Sequence, residues 1–167
     1  MRWRTATLAA ALEAAGVEDA LIADDTGGRD RLWQLREGHA EAINAAGIPH
    51  KLDVGVPLGQ LDRFLGVLPG AVRAAGAERV ILFGHLGDGN VHVNVLGADP
   101  DDSRSDDAVL ELVLECGGTI SAEHGVGVSK ARWLERARGT DEVAAMRAVK
   151  RALDPANLLN PGAVLSL

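Results

Sequence analysis

The sequence lacks a second cysteine with which Cys116 could pair, so no intrachain disulfide can form. Cys116 falls at the apolar end of a predicted helix, where a lone thiol is most simply a small core residue. The sequence also lacks a run of about 18 apolar residues, the length that a membrane-spanning helix requires. These absences favour a cytoplasmic protein with no transmembrane segment.

An excess of basic residues is missing as well. The chain has 17 lysines and arginines against 24 aspartates and glutamates, which gives a formal net charge of -7. Because binding to nucleic acid needs a basic patch, and no cluster of lysine and arginine is present, nucleic acid is excluded as a partner. Anionic membrane surfaces are disfavoured for the same reason. The 167 residues, 47% hydrophobic and 25% charged, are typical of one globular domain spanning 1–167.

No glycine-rich phosphate loop follows a predicted strand. The segment Gly87-Asp88-Gly89-Asn90 is glycine-rich, but it lies in a predicted hairpin and does not precede a helix. Asp88 is explained by turn chemistry, because aspartate before glycine is common in tight turns. The sequence therefore predicts that a nucleotide- or flavin-binding domain is absent from this chain.

The predicted elements alternate between helices and strands. The first 16 residues predict an amphipathic helix and not a signal peptide, because Glu13 interrupts the alanine-rich run. Further elements are predicted by periodicity: a strand at 20–24, a helix at 29–46, a strand from Lys51, a helix at 59–75, a hairpin around Asp88-Gly89, helices at 106–116, 129–138 and 141–153, and an irregular tail to Leu167. This order indicates an α+β fold, with an antiparallel or mixed sheet covered by helices.

The hairpin carries the first group of chemically active side chains. Val80 to Phe83 predict the incoming strand, and a period of two along the returning strand places His92 and Asn94 on one face. His85 ends the incoming strand across the turn. The two imidazoles are therefore predicted to approach each other as neutral nitrogen ligands, which is half of a metal site.

A second polar cluster follows about thirty residues later in Ile120-Ser121-Ala122-Glu123-His124-Gly125. In extended backbone, adjacent side chains diverge, so Glu123 can face a metal while His124 faces a substrate. A single histidine in a strand is more often structural, and the glycines could serve only tight turns. The concentration of three of the five histidines in these two clusters favours a site.

The sequence resembles a known family. The blocks GHLGDGNVHVN, ISAEHGVG and DPANLLNPG are similar to the C-terminal substrate domain of FAD-linked oxidases in the vanillyl-alcohol oxidase superfamily. That group contains D-lactate dehydrogenase, the glycolate oxidase flavoprotein subunit and D-2-hydroxyglutarate dehydrogenase. WQLRE at 33–37 and KLDVGVP at 51–57 fit the same pattern in order and spacing. The resemblance implies an α+β fold with ferredoxin-like elements.

The resemblance also implies roles for individual residues. His85, His92 and Glu123 would bind a divalent metal, which could be zinc, manganese, iron or cobalt. His124 would be the catalytic base. The expected substrate-binding residues are Arg36, Lys51 and Asn94, and the expected flavin contact is Asn160.

These roles suit the oxidation of a 2-hydroxy acid. An aliphatic hydroxyl is a weak acid, and a bound divalent cation lowers the pKa of the oxygen that it binds. A neutral imidazole can then accept the proton. Arg36 can make a forked contact with the substrate carboxylate, and Lys51 can supply a point charge.

Other interpretations of the two cations remain. Without the resemblance, Arg36 would be a solvated residue on a helix, and Lys51 would lie on a strand face that is either solvent or pocket. Ala40, one helical turn after Arg36, stands where some relatives carry a hydroxyl side chain, which bears on the identity of the substrate.

The expected function is the substrate- and metal-binding part of an FAD-dependent 2-hydroxy acid dehydrogenase. Its flavin domain would be supplied in cis or by a partner, and the chain alone would be inactive. The alternative is a stand-alone metal or hydroxy-acid binding module without turnover. A hydrolytic metalloenzyme is a weaker third interpretation, because the helical His-Glu motif of such enzymes is absent.

Overall fold

A computed structural model describes residues 2–17, 19–85 and 87–165. Met1, the predicted start of the first helix, and the last two residues of the predicted tail lie outside the described residues. The chain divides into two compact units, Met1–Ala45 and Ala46–Leu167. The expectation of a single domain stays a prediction. Among the described residues, no helix combines the length and apolar character needed to cross a membrane.

The first unit is helical. It contains α1 (Arg2–Ala14), α2 (Thr26–Glu37) and α3 (His39–Ala46), the last of which ends one residue into the second unit. The Asp25 side chain caps α2 by accepting a hydrogen bond from the Gly28 amide, so this helix begins three residues before its predicted start.

Two predictions for this unit were wrong. Residues 20–24 form no strand, and a strand needs a partner strand for its backbone groups, which the described part of this unit does not contain. The single helix predicted at 29–46 is broken at Gly38, whose amide closes the last turn of α2 on the Gln34 carbonyl. Glycine is a poor residue for a helix interior, which explains the break.

The second unit is built on a three-stranded antiparallel sheet in the order β1-β3-β2. The strands are β1 (His50–Gly55), β2 (Arg79–His85) and β3 (Asn90–Leu96). In the register, the central His92 lies opposite Asp53 on one side and Phe83 on the other. The predicted hairpin and the predicted α+β class are confirmed.

Two helices cover one face of the sheet. They are α4 (Leu61–Ala74), which packs on β2, and α5 (Arg104–Glu115), which packs on β1 and on α4. The alternating valines and leucines of the strands meet apolar side chains of both helices in one core. Its fully buried members include Val54, Val93, Val95, Phe64, Leu68, Val72, Val109 and Val113. Burial of this apolar surface fixes which face of each strand is left for polar side chains.

Residues 50–120 follow the strand-helix-strand-strand-helix order of a ferredoxin-like unit. The last strand of that order is reduced to a single bridge, in which Gly55 and Thr119 exchange backbone hydrogen bonds of 3.0 and 2.8 Å. This bridge brings the segment that follows α5 to the end of β1. The Glu123-His124 cluster is thereby carried to the sheet.

The hairpin turn is fixed by Gly89, which has a φ of +73°. A Cβ at this position would lie 2.0 Å from the carbonyl oxygen of Val56, so only glycine fits. The Gly89 carbonyl accepts a 2.9 Å hydrogen bond from the Val56 amide. The turn is therefore tied to the end of β1.

The C-terminal part consists of α6 (Leu134–Arg138), α7 (Thr140–Leu153) and an irregular tail. The helix predicted at 129–138 begins later than expected, because residues 131–133 form a 3-10 turn first. The predictions of α7 and of an irregular tail are confirmed for the described residues. The Val164 amide donates to the Gly127 carbonyl at 2.7 Å, which joins the tail to the segment after His124.

Candidate metal and substrate site

The polar face of the sheet lies opposite the helices α4 and α5. Because paired residues on neighbouring strands share a face, this face presents three rows of side chains across the sheet. From the hairpin turn outward, the rows are Gly55, Asn90 and His85, then Asp53, His92 and Phe83, then Lys51, Asn94 and Ile81. All the predicted site residues of β1 to β3 therefore point to the same side.

Glu123 reaches the first row from the segment after α5. Its Oε1 lies 3.1 Å from Nδ1 of His85 and accepts a 2.6 Å hydrogen bond from Nδ2 of Asn90. The side chains of His85 and Glu123 are 43% and 47% exposed. Glu123 is thus held by two residues of the sheet, while Glu123 and His85 both remain accessible to a ligand.

His92 occupies the centre of the polar face. Its ring centroid lies 5.8 Å from that of His85, 5.7 Å from that of His124 and 4.9 Å from that of Phe83. The His92 and His124 rings are stacked, with an interplanar angle of 25°. Three imidazoles from two distant parts of the sequence therefore meet at one place.

Asp53 anchors the segment that carries Glu123 and His124. Its Oδ2 accepts hydrogen bonds from the amides of Ala122, Glu123 and His124, at 3.1, 2.6 and 2.9 Å. The residue is 3% exposed. Burial raises the pKa of the Asp53 carboxyl, but the three amide donors and the nearby His124 outweigh burial, so the pKa lies below its ordinary value.

Lys130 ties the same two segments together. Its Nζ donates to the carbonyl of Ile120 at 2.8 Å and to the carbonyl of Asp53 at 3.4 Å. Burial lowers the pKa of the Lys130 ammonium, and the attraction of Asp53 opposes this effect only in part. The lysine therefore supports the backbone on both sides of the site.

Two overlapping groups of side chains have the geometry to hold a metal ion. In the first, His85, His92 and Glu123 each offer one ligand atom, and in the second, Asp53, His92 and His124 do so; in each group these atoms lie within 4.8 Å of one another. Modest side-chain movement would bring either set to ligand distances of about 2.0–2.2 Å. The first group is the metal set expected from the sequence.

Two of the expected substrate residues lie on the third row. Lys51 is exposed and its Cα pairs with that of Asn94. Asn94 is 4% exposed, and its Nδ2 donates to the Ile81 carbonyl at 3.4 Å. These residues therefore lie two positions along their strands from Asp53 and His92, on the same face. Lys51 shares its face of β1 with Asp53, on the side of the sheet opposite the buried Leu52 and Val54.

The remaining expected residues lie elsewhere in the chain. Arg36 is half-buried on α2, in the first unit. Asn160 is exposed in the C-terminal tail and has a φ of +48°. The roles of Arg36 in substrate binding and of Asn160 in flavin contact stay predictions.

Sequence reasoning missed Asp53, Asn90 and Lys130 as parts of the site. Asp53 had a usable signal, because it alternates with the buried Leu52 and Val54 and so shares its face with Lys51. Asn90 was hidden in a turn motif. Lys130 gave no signal, since its hydrogen bonds to backbone carbonyls of distant residues depend on the fold.

Comparison with known proteins places these residues in a family context. A family model described as "FAD linked oxidases, C-terminal domain" matches residues 1–164. A mitochondrial D-2-hydroxyglutarate dehydrogenase of Arabidopsis thaliana is 37% identical over 163 residues, which cover 96% of this chain and 29% of that protein.

Bacterial proteins show similar identity. D-2-hydroxyglutarate dehydrogenase of Xanthomonas citri pv. viticola is 39% identical over 161 residues, covering 90% of this chain and 34% of that protein. An uncharacterised FAD-linked oxidoreductase of Mycobacterium tuberculosis is 35% identical over 150 residues, covering 89% and 32%. The chain thus spans about a third of the length of these curated relatives.

Proposed function

The chain belongs to the family of FAD-linked oxidase C-terminal domains, and from this premise we propose that it is the substrate- and metal-binding part of a flavin-dependent dehydrogenase that oxidises a small 2-hydroxy acid to the 2-oxo acid. The observation that carries the proposal is the convergence of His85, His92 and Glu123. The names of the relatives support the reaction class and make D-2-hydroxyglutarate the first substrate to test.

The residues present fit a divalent cation. Two imidazole nitrogens and one carboxylate form a three-ligand set that leaves coordination positions open, as catalytic metal sites require. The exposure of His85 and Glu123 lets a substrate reach such a cation. Zinc, manganese, iron and cobalt all accept this ligand set.

The overlapping group that includes Asp53 is less suitable. Asp53 is 3% exposed, and its Oδ2 already accepts three amide hydrogen bonds. Only Oδ1 is left to bind a cation there, and because this oxygen is buried, the ligand Asp53 would be closed to solvent. We therefore assign the cation to His85, His92 and Glu123.

The side chains around this set can carry out the proton chemistry. A cation held by the three ligands would lower the pKa of the substrate hydroxyl. His124, stacked on His92 and exposed, would accept the hydroxyl proton as general base. The hydride of the adjacent carbon would leave to a flavin, for which we propose a binding domain supplied in cis or by a partner.

Substrate orientation would come from the third row of the polar face. Lys51 offers an ammonium to the substrate carboxylate, and Asn94 lies opposite it in the register. We retain Arg36 as a second counter-charge on the strength of the family resemblance. A cytoplasmic location likewise stays a prediction.

The metal assignment can be tested on the full chain by equilibrium dialysis against Mn²⁺ and Zn²⁺ with metal analysis. We expect one ion per chain, and Glu123→Gln should weaken binding by more than the roughly 10- to 100-fold typical of an outer-shell change. His39→Ala is the matched control, because it removes an imidazole from the first unit and should leave the affinity unchanged.

The same preparation tests the flavin assignment. After incubation with FAD and removal of free flavin, the absorbance spectrum of the chain should show no stoichiometric FAD. Retention of one FAD per chain would contradict the proposal that flavin binding resides in another domain. A wild-type chain that binds neither metal would contradict the metal assignment.

A further inference from the structure

The two oxygens of the Asp53 carboxylate have different surroundings. Oδ2 accepts hydrogen bonds from three successive backbone amides at residues 122–124. Oδ1 is buried and has no hydrogen-bond partner among the described residues. A buried carboxylate oxygen without a donor is costly.

The His92 ring lies close to a donor position for Oδ1. Its Nδ1 lies 3.5 Å from Oδ1, and the two residues are paired opposite each other across β1 and β3. This distance is a few tenths of an ångström longer than a good hydrogen bond. A small rotation of the ring would complete the bond, and the His92 side chain is only 13% exposed, so water has little access to replace it.

A carboxylate can only accept hydrogen bonds, so the contact favours the imidazole tautomer that carries its proton on Nδ1. Nε2 then keeps its lone pair and can serve as a metal ligand. Histidines that ligate metals commonly have their second ring nitrogen held in this way by a carboxylate. The role differs from that of a ligand, because Asp53 would act on the cation only through His92.

We propose that Asp53 is the positioning residue of the site. It orients His92 through Nδ1 with one oxygen, and it holds the backbone of Glu123 and His124 with the other. A single carboxylate thereby sets the separation between two of the metal ligands and the base. This inference rests on the proposed function, in which His92 and Glu123 bind the cation.

Lys130 provides a second link between β1 and the segment that carries Glu123 and His124. Its Nζ donates to the backbone carbonyls of both Asp53 and Ile120. The strand and the segment are thus joined through the Asp53 side chain and through its main chain. Because of this second link, replacing the Asp53 carboxylate by an amide should leave the 122–124 segment attached to β1.

Asp53→Asn is the informative variant. The amide oxygen of asparagine can still accept from the three backbone donors, whereas its NH₂ replaces Oδ1 and faces His92 with a donor. We expect Mn²⁺ and Zn²⁺ affinity, measured by equilibrium dialysis of the full chain, to fall by about 10- to 100-fold. Circular dichroism should show an unchanged fold.

The chain offers a matched control in Asp106, whose Oδ1 lies 3.0 Å from Nδ1 of His50. Asp106→Asn makes the same exchange at a histidine outside the metal group, and it should leave metal affinity unchanged. An equal loss of affinity in both variants would overturn the proposal, because it would show a general effect on stability.

A second measurement needs neither a variant nor a metal. The ¹⁵N shifts of His92 in the metal-free wild-type chain report which ring nitrogen carries the proton. The proposal requires the proton on Nδ1, and a proton on Nε2 would overturn it. Should the chain bind no metal while the Nδ1 proton is found, the positioning of His92 stands and the proposed function fails, so the two failures are distinguishable.

Discussion

At the scale of single residues, Asp154 is a buried acid at the C-terminal end of α7. Its carboxylate accepts hydrogen bonds from the amides of Leu158 and Leu159, both at 2.9 Å, and from Nζ of Lys150. The bond from Lys150 and the backbone bonds lower the pKa of Asp154 to about 2. The residue thus closes α7 and fixes the start of the tail.

This pKa predicts a pH dependence of stability. Since the folded-state pKa lies below the unfolded value, the contribution of Asp154 is fully present above about pH 4 and is lost as the pH falls through about 2. Asp154→Asn should therefore lower the free energy of unfolding at about pH 6, and the difference from wild type should shrink toward about pH 2.

Urea denaturation at a series of pH values measures both quantities. Asp101→Asn, which removes one negative charge from an exposed loop position, is the control and should show no such convergence. A difference for Asp154→Asn that stays constant down to about pH 2 would contradict the assigned ionic contact.

The sequence was most informative about residues whose side-chain positions are determined by the neighbouring sequence. His85 and His92 could be placed near each other because a hairpin and a period of two determine where their side chains lie. Glu123 and His124 could not be placed beside them by any periodicity, and only the concentration of histidines in the two clusters and the family resemblance indicated that they belong to one site. The connection is made by Asp53, whose three amide contacts span about seventy residues of sequence and leave no periodic signal.

At the scale of elements, the β2–β3 hairpin depends on the backbone conformation of Gly89. We predict that Gly89→Ala lowers the free energy of unfolding by at least about 1 kcal/mol, because an L-residue with positive φ costs about 1–2 kcal/mol. The added methyl would also press against the Val56 carbonyl, 2.0 Å away. Urea denaturation followed by circular dichroism measures the change.

Gly87→Ala, in the same turn, is the matched control for this prediction. A Cβ at Gly87 meets no atom within 4 Å, so the change in the free energy of unfolding should stay within about 0.5 kcal/mol. Equal destabilisation by the two substitutions would contradict the prediction, because it would show that alanine destabilises the turn whatever the backbone conformation of Gly89.

The elements that sequence patterns predicted well are those that build the core. Strand β1 and helices α4, α5 and α7 follow apolar periodicities, and each lies close to its predicted bounds. The wrong predictions lie in the first unit, and in the second unit the helix predicted at 129–138 begins late. An apolar run at 20–24 could not form a strand without a partner, and the apolar spacing that continues past Gly38 concealed the break between α2 and α3.

At the scale of the whole molecule, the two units differ in how much they bury. The hydrophobic core cluster and both possible metal groups consist of residues from the second unit. Within the described part of the first unit, Ile43 is the one buried residue. Chains of about 40 residues without disulfides or metals rarely bury enough apolar surface to fold alone. The second unit therefore carries the stability as well as the metal-binding residues.

This difference predicts the behaviour of the separated units. A chain of residues 46–167 should unfold cooperatively in urea and bind Mn²⁺ within about threefold of the affinity of the full chain, since the truncation touches none of the ligands. A peptide of residues 1–45 should show no cooperative transition. Loss of both folding and metal binding in the 46–167 chain would show that its core requires the first unit. Loss of metal binding alone, with cooperative unfolding preserved, would show that a residue of the first unit completes the cation site.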